Sequence, residues 1–316
     1  MSILITAFHI LVFPGLLFCV LLGVLLTGAG RRLTARMQRR VGPPLLQPWY
    51  DFLKCCGKET IIPRHAKRQI FLAAPVVGFA ALISAALFIP VMNYTAFSTG
   101  ADLVVILYLL TLASVTMIVG ASASGSPFAG VGLSREMVAM ISYELPFVLV
   151  LLAVGCAAGG DGVTFSLSAV RDWQSANGPL LFRWSMIPAA LAMLFVIPCE
   201  VGAHPFDVAE AETEICEGML AEYSGAPLGL FRLSTCVKTY LMSALFCALF
   251  LGGLSTGITV LDVLIVAVLC LAVTFVTMAV PHAVCARLKT EQIFKFYWTV
   301  VAALAAVSLI LVWLGL

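Results

Sequence analysis

The sequence predicts an all-α integral membrane protein with about eight transmembrane helices, and three observations carry that fold class. First, 62% of the 316 residues are hydrophobic and only 11% are charged, and the mean hydropathy of +1.08 lies far above that of soluble domains. Second, continuous apolar stretches of about 20 residues, the length that crosses a bilayer as a helix, fall near 3–28, 70–91, 103–124, 136–157, 184–203, 229–253, 257–280 and 297–315. A β-barrel would need short alternating segments, whereas continuous runs satisfy their backbone in lipid as helices. Third, basic residues gather in alternate loops. Residues 29–69 carry ten of the 18 Lys and Arg, which predicts a cytoplasmic first loop. The loops at about 125–135, 204–228 and 281–296 then share that side, Arg171 and Arg183 face outward, and both termini lie on the outer side.

The first apolar run reads as a span rather than a cleavable signal, because the basic segment follows it. No repeat or long linker divides the chain, so residues 1–316 read as a single polytopic domain. A net charge of +2 gives no sign of nucleic acid binding. Of ten cysteines, Cys19, Cys156, Cys236, Cys247 and Cys270 sit inside apolar runs and no Cys-x-x-Cys pair occurs, so they read as small buried hydrophobes and no metal is expected.

In chain order, the first informative stretch is MQRRVGPPLLQPWYDFLKCCGKE, residues 37–59. Its charge is explained by orientation or by acidic lipid, but the Gly42-Pro43-Pro44 turn and the apolar Leu45, Leu46, Pro48, Trp49 and Phe52 beside the arginines fit a short amphipathic helix at the membrane face that docks a soluble partner. Next, SGSPFAGVGLSREMVAMISYELP, residues 124–146, predicts a helix from near Ser134, with Ser134 as N-cap and Glu136 favoured by the helix dipole. Glu144 then falls in mid-span beside Pro146, which loosens the backbone.

An acid inside a span is kept mainly where it pairs or lines a wet path. Lys238, at similar depth in the sixth run, is either a structural partner of Glu144, a snorkelling cation or a member of such a path. Finally, HPFDVAEAETEICEGMLAEYSG, residues 204–225, packs six carboxylates into sixteen positions. At 100° per residue Asp207, Glu210, Glu214 and Glu217 share one helix face and Glu212 points away. The stripe reads either as a solvated surface helix or, with Glu136, Glu144 and Glu200, as a chain of carboxylates whose pKa values rise by desolvation and mutual repulsion, as a proton path needs. His204 opens this segment; His9, His65 and His282 read as interfacial or partner-satisfied.

QRRVGPPLLQPWYDFLK, SREMVAMISYELP and PFDVAEAETEICEGMLAEYSG, with a weaker ARLKTEQIFKFYW at 286–298, resemble the signature segments of the respiratory complex I subunit 1 family. That resemblance implies an eight-helix membrane subunit joining the membrane arm to the peripheral arm. Within the family the chain is similar to the membrane anchor of energy-converting group 4 nickel–iron hydrogenases, of the Ech and formate hydrogenlyase type: it runs directly from Gly42-Pro43-Pro44 to Leu45-Leu46-Gln47-Pro48 where complex I carries an insertion, and has Ala203-His204 where complex I has an Arg. The missing insertion weighs against quinone binding.

The resemblance further implies the chain's chemistry. This subunit would have no redox centre and no cofactor of its own. Iron–sulfur clusters and the nickel–iron centre would sit in partners: hydrogenase large and small subunits, an iron–sulfur subunit and an antiporter-like membrane subunit, in the prokaryotic inner membrane. Glu136, Glu144, Glu200, Asp207, Glu210, Glu212, Glu214 and Glu217 match acids of the family's carboxylate path, with Lys238 placed beside them. Arg39, Arg40, Arg135 and Glu222 match polar positions at the peripheral-arm interface. The competing expectations are the quinone-chamber subunit of a complex I type NADH:quinone oxidoreductase, and a secondary transporter, which would show inverted repeats.

Overall fold

A computed structural model describes residues 8–92, 94–160, 162–254 and 257–315; the side chains of Glu212, Thr213 and Thr259 lie outside the described residues. Eight helices in it are long and apolar enough to cross a membrane. The first span, Phe8–Met37, ends in α1 (Leu16–Met37). After it come the short α2 (Gln47–Cys56), the spans α3 (Arg68–Phe88), α4 (Asp102–Ser124) and α5 (Pro127–Ala158), then the short α6 (Leu167–Asn177) and α7 (Ile187–Val201). One turn of helix, α8 (Glu212–Ile215), precedes α9 (Gly225–Phe250). The seventh span joins α10 (Thr259–Thr274) through a π-helical turn at Phe275–Ala279 to α11 (Val280–Val284), and the eighth joins α12 (Thr290–Phe296) through a second at Tyr297–Val301 to α13 (Ala302–Trp313).

The arrangement is set by α9. Its most apolar window is 83% buried against 33% for the seventh span and 28% for the eighth, and α1, α2, α3, α7 and α10 all pack on it. α9 has the lowest mean hydropathy of the eight spans, 1.5, and a helix that carries polar side chains such as Lys238 belongs inside the bundle, while more apolar outer helices leave a face to lipid. Close approach needs small residues: a Cβ on Gly28 of α1 would stand 1.8 Å from the Leu45 carbonyl oxygen, and one on Gly132 of α5 would stand 2.8 Å from the Met219 nitrogen. Gly132 thereby seats the acidic loop directly on the α5 backbone.

Several expected boundaries are corrected. The fourth span begins at Pro127, not near 136. Its N-cap is Ser126 rather than Ser134, whose hydroxyl instead donates back to the Val131 carbonyl at 2.8 Å inside the helix. Pro127 at the first position explains this start, since its fixed φ suits a helix and its missing N–H needs no partner there. The first helix runs on to Met37, carrying Arg31, Arg32 and Arg36 on its last turns. The expected 281–296 loop contracts because α11 and α12 extend into it from both sides.

The first, third, fifth and seventh connections meet on one side. The Lys67 amide bonds the Ala123 carbonyl at 2.9 Å, the Leu288 amide bonds the Pro205 carbonyl at 3.1 Å, and the Ile61 amide bonds Ser224 Oγ at 2.8 Å. We call this the loop side.

Candidate functional site: a carboxylate chamber under the acidic loop

The early start of α5 puts Glu136 a little over two turns into the bundle, opposite Glu200 in the last turn of α7. That turn stops at Gly202, whose φ of 73° releases the chain into the acidic loop. α4 contributes Ser114 and Met117, and α9 contributes Ser234, Thr235 and Lys238, to a cavity of about 50 Å³ that Glu136, Glu200, Asp207 and Glu210 also line. A water needs about 10–15 Å³ of such space, so the chamber has room for a few waters. Inside it Lys238 Nζ lies 2.7 Å from Glu200 Oε1 and donates to Ser114 Oγ at 2.7 Å. Glu200 is 3% exposed and Lys238 8%, so each ion depends on the other.

The open question of Lys238's partner is thereby answered: it meets Glu200, not Glu144. Glu144 lies two turns beyond Glu136 on α5, about 12 Å along the axis, half-buried beside Thr111 of α4.

The expected single helix with an acidic stripe is not formed. Residues 204–224 are turns interrupted by one α-helical turn and one 3₁₀ turn, and Cys216, Glu217 and Gly218 all carry φ between 48° and 66°, a left-handed run that no α-helix tolerates. The physical reason lies in the counter-charges, which come from three other elements and draw the acids apart. Arg287, after α11, grips Asp207 with two bonds, Nε to Oδ1 at 2.7 Å and Nη2 to Oδ2 at 2.9 Å. Arg135 of α5 reaches Glu214 at 2.7 Å and the Val208 carbonyl at 3.4 Å. Arg232 of α9 reaches Glu217 at 3.3 Å.

The hydrogen bond from Arg135 holds the Glu214 carboxyl below its ordinary range. Glu210 has no such partner. It lines both the chamber and the larger cavity beside it, and burial, reinforced by the negative charges of Glu136, Asp207 and Glu217, pushes its carboxyl up to about 7. It is therefore the loop acid poised to exchange a proton near neutrality.

Two larger cavities adjoin the chamber. One of about 450 Å³ runs between α1, α2 and α9 and is lined by Arg31, Asp51, Glu210, Glu217 and Arg232. The other, of about 230 Å³, lies between α1, α9 and the seventh span and is lined by Arg31, Asp207, His204 and His282. Thr235 borders all three, so Glu210 and Asp207 stand in shared walls between the chamber and the loop side.

The remaining expected residues lie on the periphery. Arg39 and Arg40 are exposed in the turn after α1, Arg39 with φ 57° and Arg40 bonded to Gln38. Glu222 is half-buried at the foot of α9. The side chain of Glu212 falls outside the described residues. The anticipated amphipathic helix is present as α2: Phe52 and Cys55 meet α9 at Gly229, while Trp49, Tyr50 and Leu53 stay exposed. Among the described residues no three His, Cys, Asp or Glu side chains converge on a metal position.

Sequence reading missed Ser114, Thr235, Arg232 and Arg287. Hydroxyls in an apolar helix carry little signal, because they satisfy themselves on the preceding turn, as Ser234 does on the Leu230 carbonyl. Arg287 had one available signal, its place in the ARLKTEQIFKFYW segment.

Comparison with known proteins agrees with this architecture. A family profile described as NADH dehydrogenase matches residues 9–313. Hydrogenase-4 component C of Escherichia coli K12 is 36% identical over 234 residues, covering 73% of this chain and 72% of that protein. An NADH-quinone oxidoreductase subunit of Geobacillus kaustophilus is 31% identical over 318 residues, covering 94% and 90%. A chain of the membrane-bound sulfane sulfur reductase, an archaeal respiratory membrane complex, superposes with a TM-score of 0.87 at 27% identity, covering 99% of this chain and 100% of that one.

Proposed function

The chain belongs to the NADH dehydrogenase family of complex I subunit 1 proteins and is a multi-pass membrane subunit of a complex I-like respiratory complex; from that premise we propose that it is the membrane anchor and ion-coupling subunit of an energy-converting nickel–iron hydrogenase in a prokaryotic cytoplasmic membrane. Its similarity to Hydrogenase-4 component C and its short Pro44-to-Leu45 junction support the hydrogenase reading. The observation that carries the coupling role is the chamber: four carboxylates and one lysine around a water-sized cavity at the loop-side end of the bundle. The redox centres belong to soluble partners, a hydrogenase large and small subunit and an iron–sulfur subunit, with an antiporter-like subunit beside this one in the membrane. Arg39, Arg40, Arg135 and Glu222 face the peripheral arm.

In this mechanism a charge change in the partner acts first on the wall of the larger cavity, where Glu217, Arg232 and Asp51 lie. Glu210, titrating at about 7, releases or takes a proton there. The proton passes by water to Glu136 and to the Glu200–Lys238 pair, and onward along α5 toward Glu144. Asp207, Glu214 and Glu217, with Glu212 in the same loop, set the field that tunes the step. Sodium transport would use the same carboxylates as ligands in place of proton carriers.

The test is to purify the detergent-solubilised complex through a tag on this chain, identify its companions by mass spectrometry, and compare dye-linked hydrogenase activity with ion uptake in proteoliposomes. Glu144→Gln should abolish most uptake and leave dye-linked activity intact; equal loss of both would assign Glu144 to assembly instead. The second reading, a subunit of an NADH:quinone oxidoreductase, is favoured by the NADH-quinone oxidoreductase relatives, and companions of that type together with quinone reduction would replace the hydrogenase assignment.

A further inference from the structure

One pair of titratable groups stands outside the carboxylate chamber and takes no part in the mechanism above. His204, at the head of the acidic loop, stacks on His282 of α11 with ring centroids 4.9 Å apart and planes at 24°. Nδ1 of His204 is buried without a hydrogen-bond partner, whereas His282 is exposed. Both line the cavity of about 230 Å³. Asp207 lines that cavity and the chamber alike. The rings therefore lie on the outer side of Asp207, between loop-side solvent and the chamber.

Three features of this arrangement point the same way. A buried nitrogen with no protein partner is costly unless water or a proton satisfies it, and the cavity offers room for water together with another unpartnered buried hydroxyl, Thr27 Oγ1. Imidazole is the side chain whose charge changes near neutral pH. Two imidazolium charges at 4.9 Å would repel strongly, so the pair has room for at most one positive charge at a time.

The charged groups facing it are few. Arg31 of α1 lines the same cavity, and Arg40 acts on His282 from beyond the end of that helix. Asp207 supplies the negative charge and is itself gripped by Arg287. α9 and α10 present the hydroxyls of Thr235, Thr239 and Thr274.

We propose that His204 and His282 form a one-proton relay that takes a proton from loop-side water and delivers it, through water in the shared cavity, to the Asp207 wall of the carboxylate chamber. The exposed imidazole, His282, accepts a proton at one ring nitrogen from solvent and, because the stacked rings present no N–H···N line to each other, passes it through water in the shared cavity to Nδ1 of His204. His204 then releases that proton to cavity water, so each ring is neutral again and one proton is left hydrated beside Asp207 and Thr235. This rests on the coupling role proposed above.

The experiment uses the whole complex in proteoliposomes. Proton uptake and dye-linked activity are followed from pH 5.5 to 8.5 for wild type, His204→Gln, His282→Gln and His282→Ala. The expected result is uptake reduced about tenfold in each variant, most strongly at the alkaline end where solvent protons are scarce, with dye-linked activity unchanged and uptake by His282→Ala restored by added imidazole. Uptake that matches wild type in all variants overturns the relay alone. Uptake lowered equally at every pH and not restored by imidazole also overturns it, assigning the rings to packing. A wild-type complex that moves neither protons nor sodium overturns the coupling role and the relay together, and one that moves sodium alone overturns the relay. Infrared titration of the imidazole ring modes gives an independent check: the pair should take up one proton across this range, and two protons bound at ordinary histidine pH would overturn the shared charge.

Discussion

Two buried acids near opposite ends of the bundle have opposite surroundings. Asp102 opens α4 away from the loop side and is 1% exposed. Its carboxylate accepts from the Thr99 amide and hydroxyl at 2.5 and 2.7 Å, from the Leu167 amide at 3.1 Å and from Ser166 Oγ at 3.5 Å. Every one of these donors is neutral and fixed, and together they staple the start of α4 to the start of α6. Glu200 is as deeply buried, at 3%, but it faces a water-sized cavity, a lysine and further carboxylates. Burial alone thus says nothing about function. An acid saturated by backbone and hydroxyl donors is a structural part, and an acid held against a mobile proton and a counter-charge is a chemical one.

The largest effect that separates the two is expected at Lys238. Replacing it by Met leaves Glu200 buried without its cation and should cost about 3–5 kcal/mol; the double change Lys238→Met with Glu200→Gln should recover most of that. Thermal unfolding of the detergent-solubilised protein measures both, and a single variant as stable as wild type would mean that Glu200 is buried neutral.

Glu210 gives the next effect, with a sign fixed by linkage. Its folded-state pKa of about 7 exceeds the ordinary Glu value of about 4.3, so the folded protein binds more protons than the unfolded one between these limits. Stability from this group is then greatest below pH 4.3 and falls as pH rises to 7, by at most about 4 kcal/mol. Glu210→Gln should flatten that slope, which melting curves at pH 5 and pH 8 would show; an unchanged slope would place the titration elsewhere.

The smallest effect is expected at the staple. Asp102→Asn retains the shape but loses an acceptor for two of its donors, at about 1–3 kcal/mol. Ion uptake per turnover should not change. A coupling defect in Asp102→Asn with normal melting would erase the distinction between the two ends.

The eight spans were legible because apolar length is a local property, and the side on which alternate loops gather followed from counting them. The buried charges of the chamber were also legible, since Glu136, Glu200 and Lys238 stand out against apolar neighbours. Their geometry was not. The helical stripe drawn through Asp207, Glu210, Glu214 and Glu217 assumed that the segment answers to its own periodicity, whereas Arg135, Arg232 and Arg287, all outside it in the chain, pull three of those acids in three directions and leave Glu210 aside. Ser134 showed the same limit on a smaller scale, since a good N-cap residue lost to Ser126 followed by Pro127.

By itself, then, the sequence determined a helical membrane protein with most of its acids at one end, because hydropathy and charge are additive along the chain. Only tertiary structure decided which carboxylate pairs, which is stapled and which titrates. Those properties depend on distances of about 3 Å between helices far apart in sequence, and on cavity walls assembled from several of them, which no local pattern encodes.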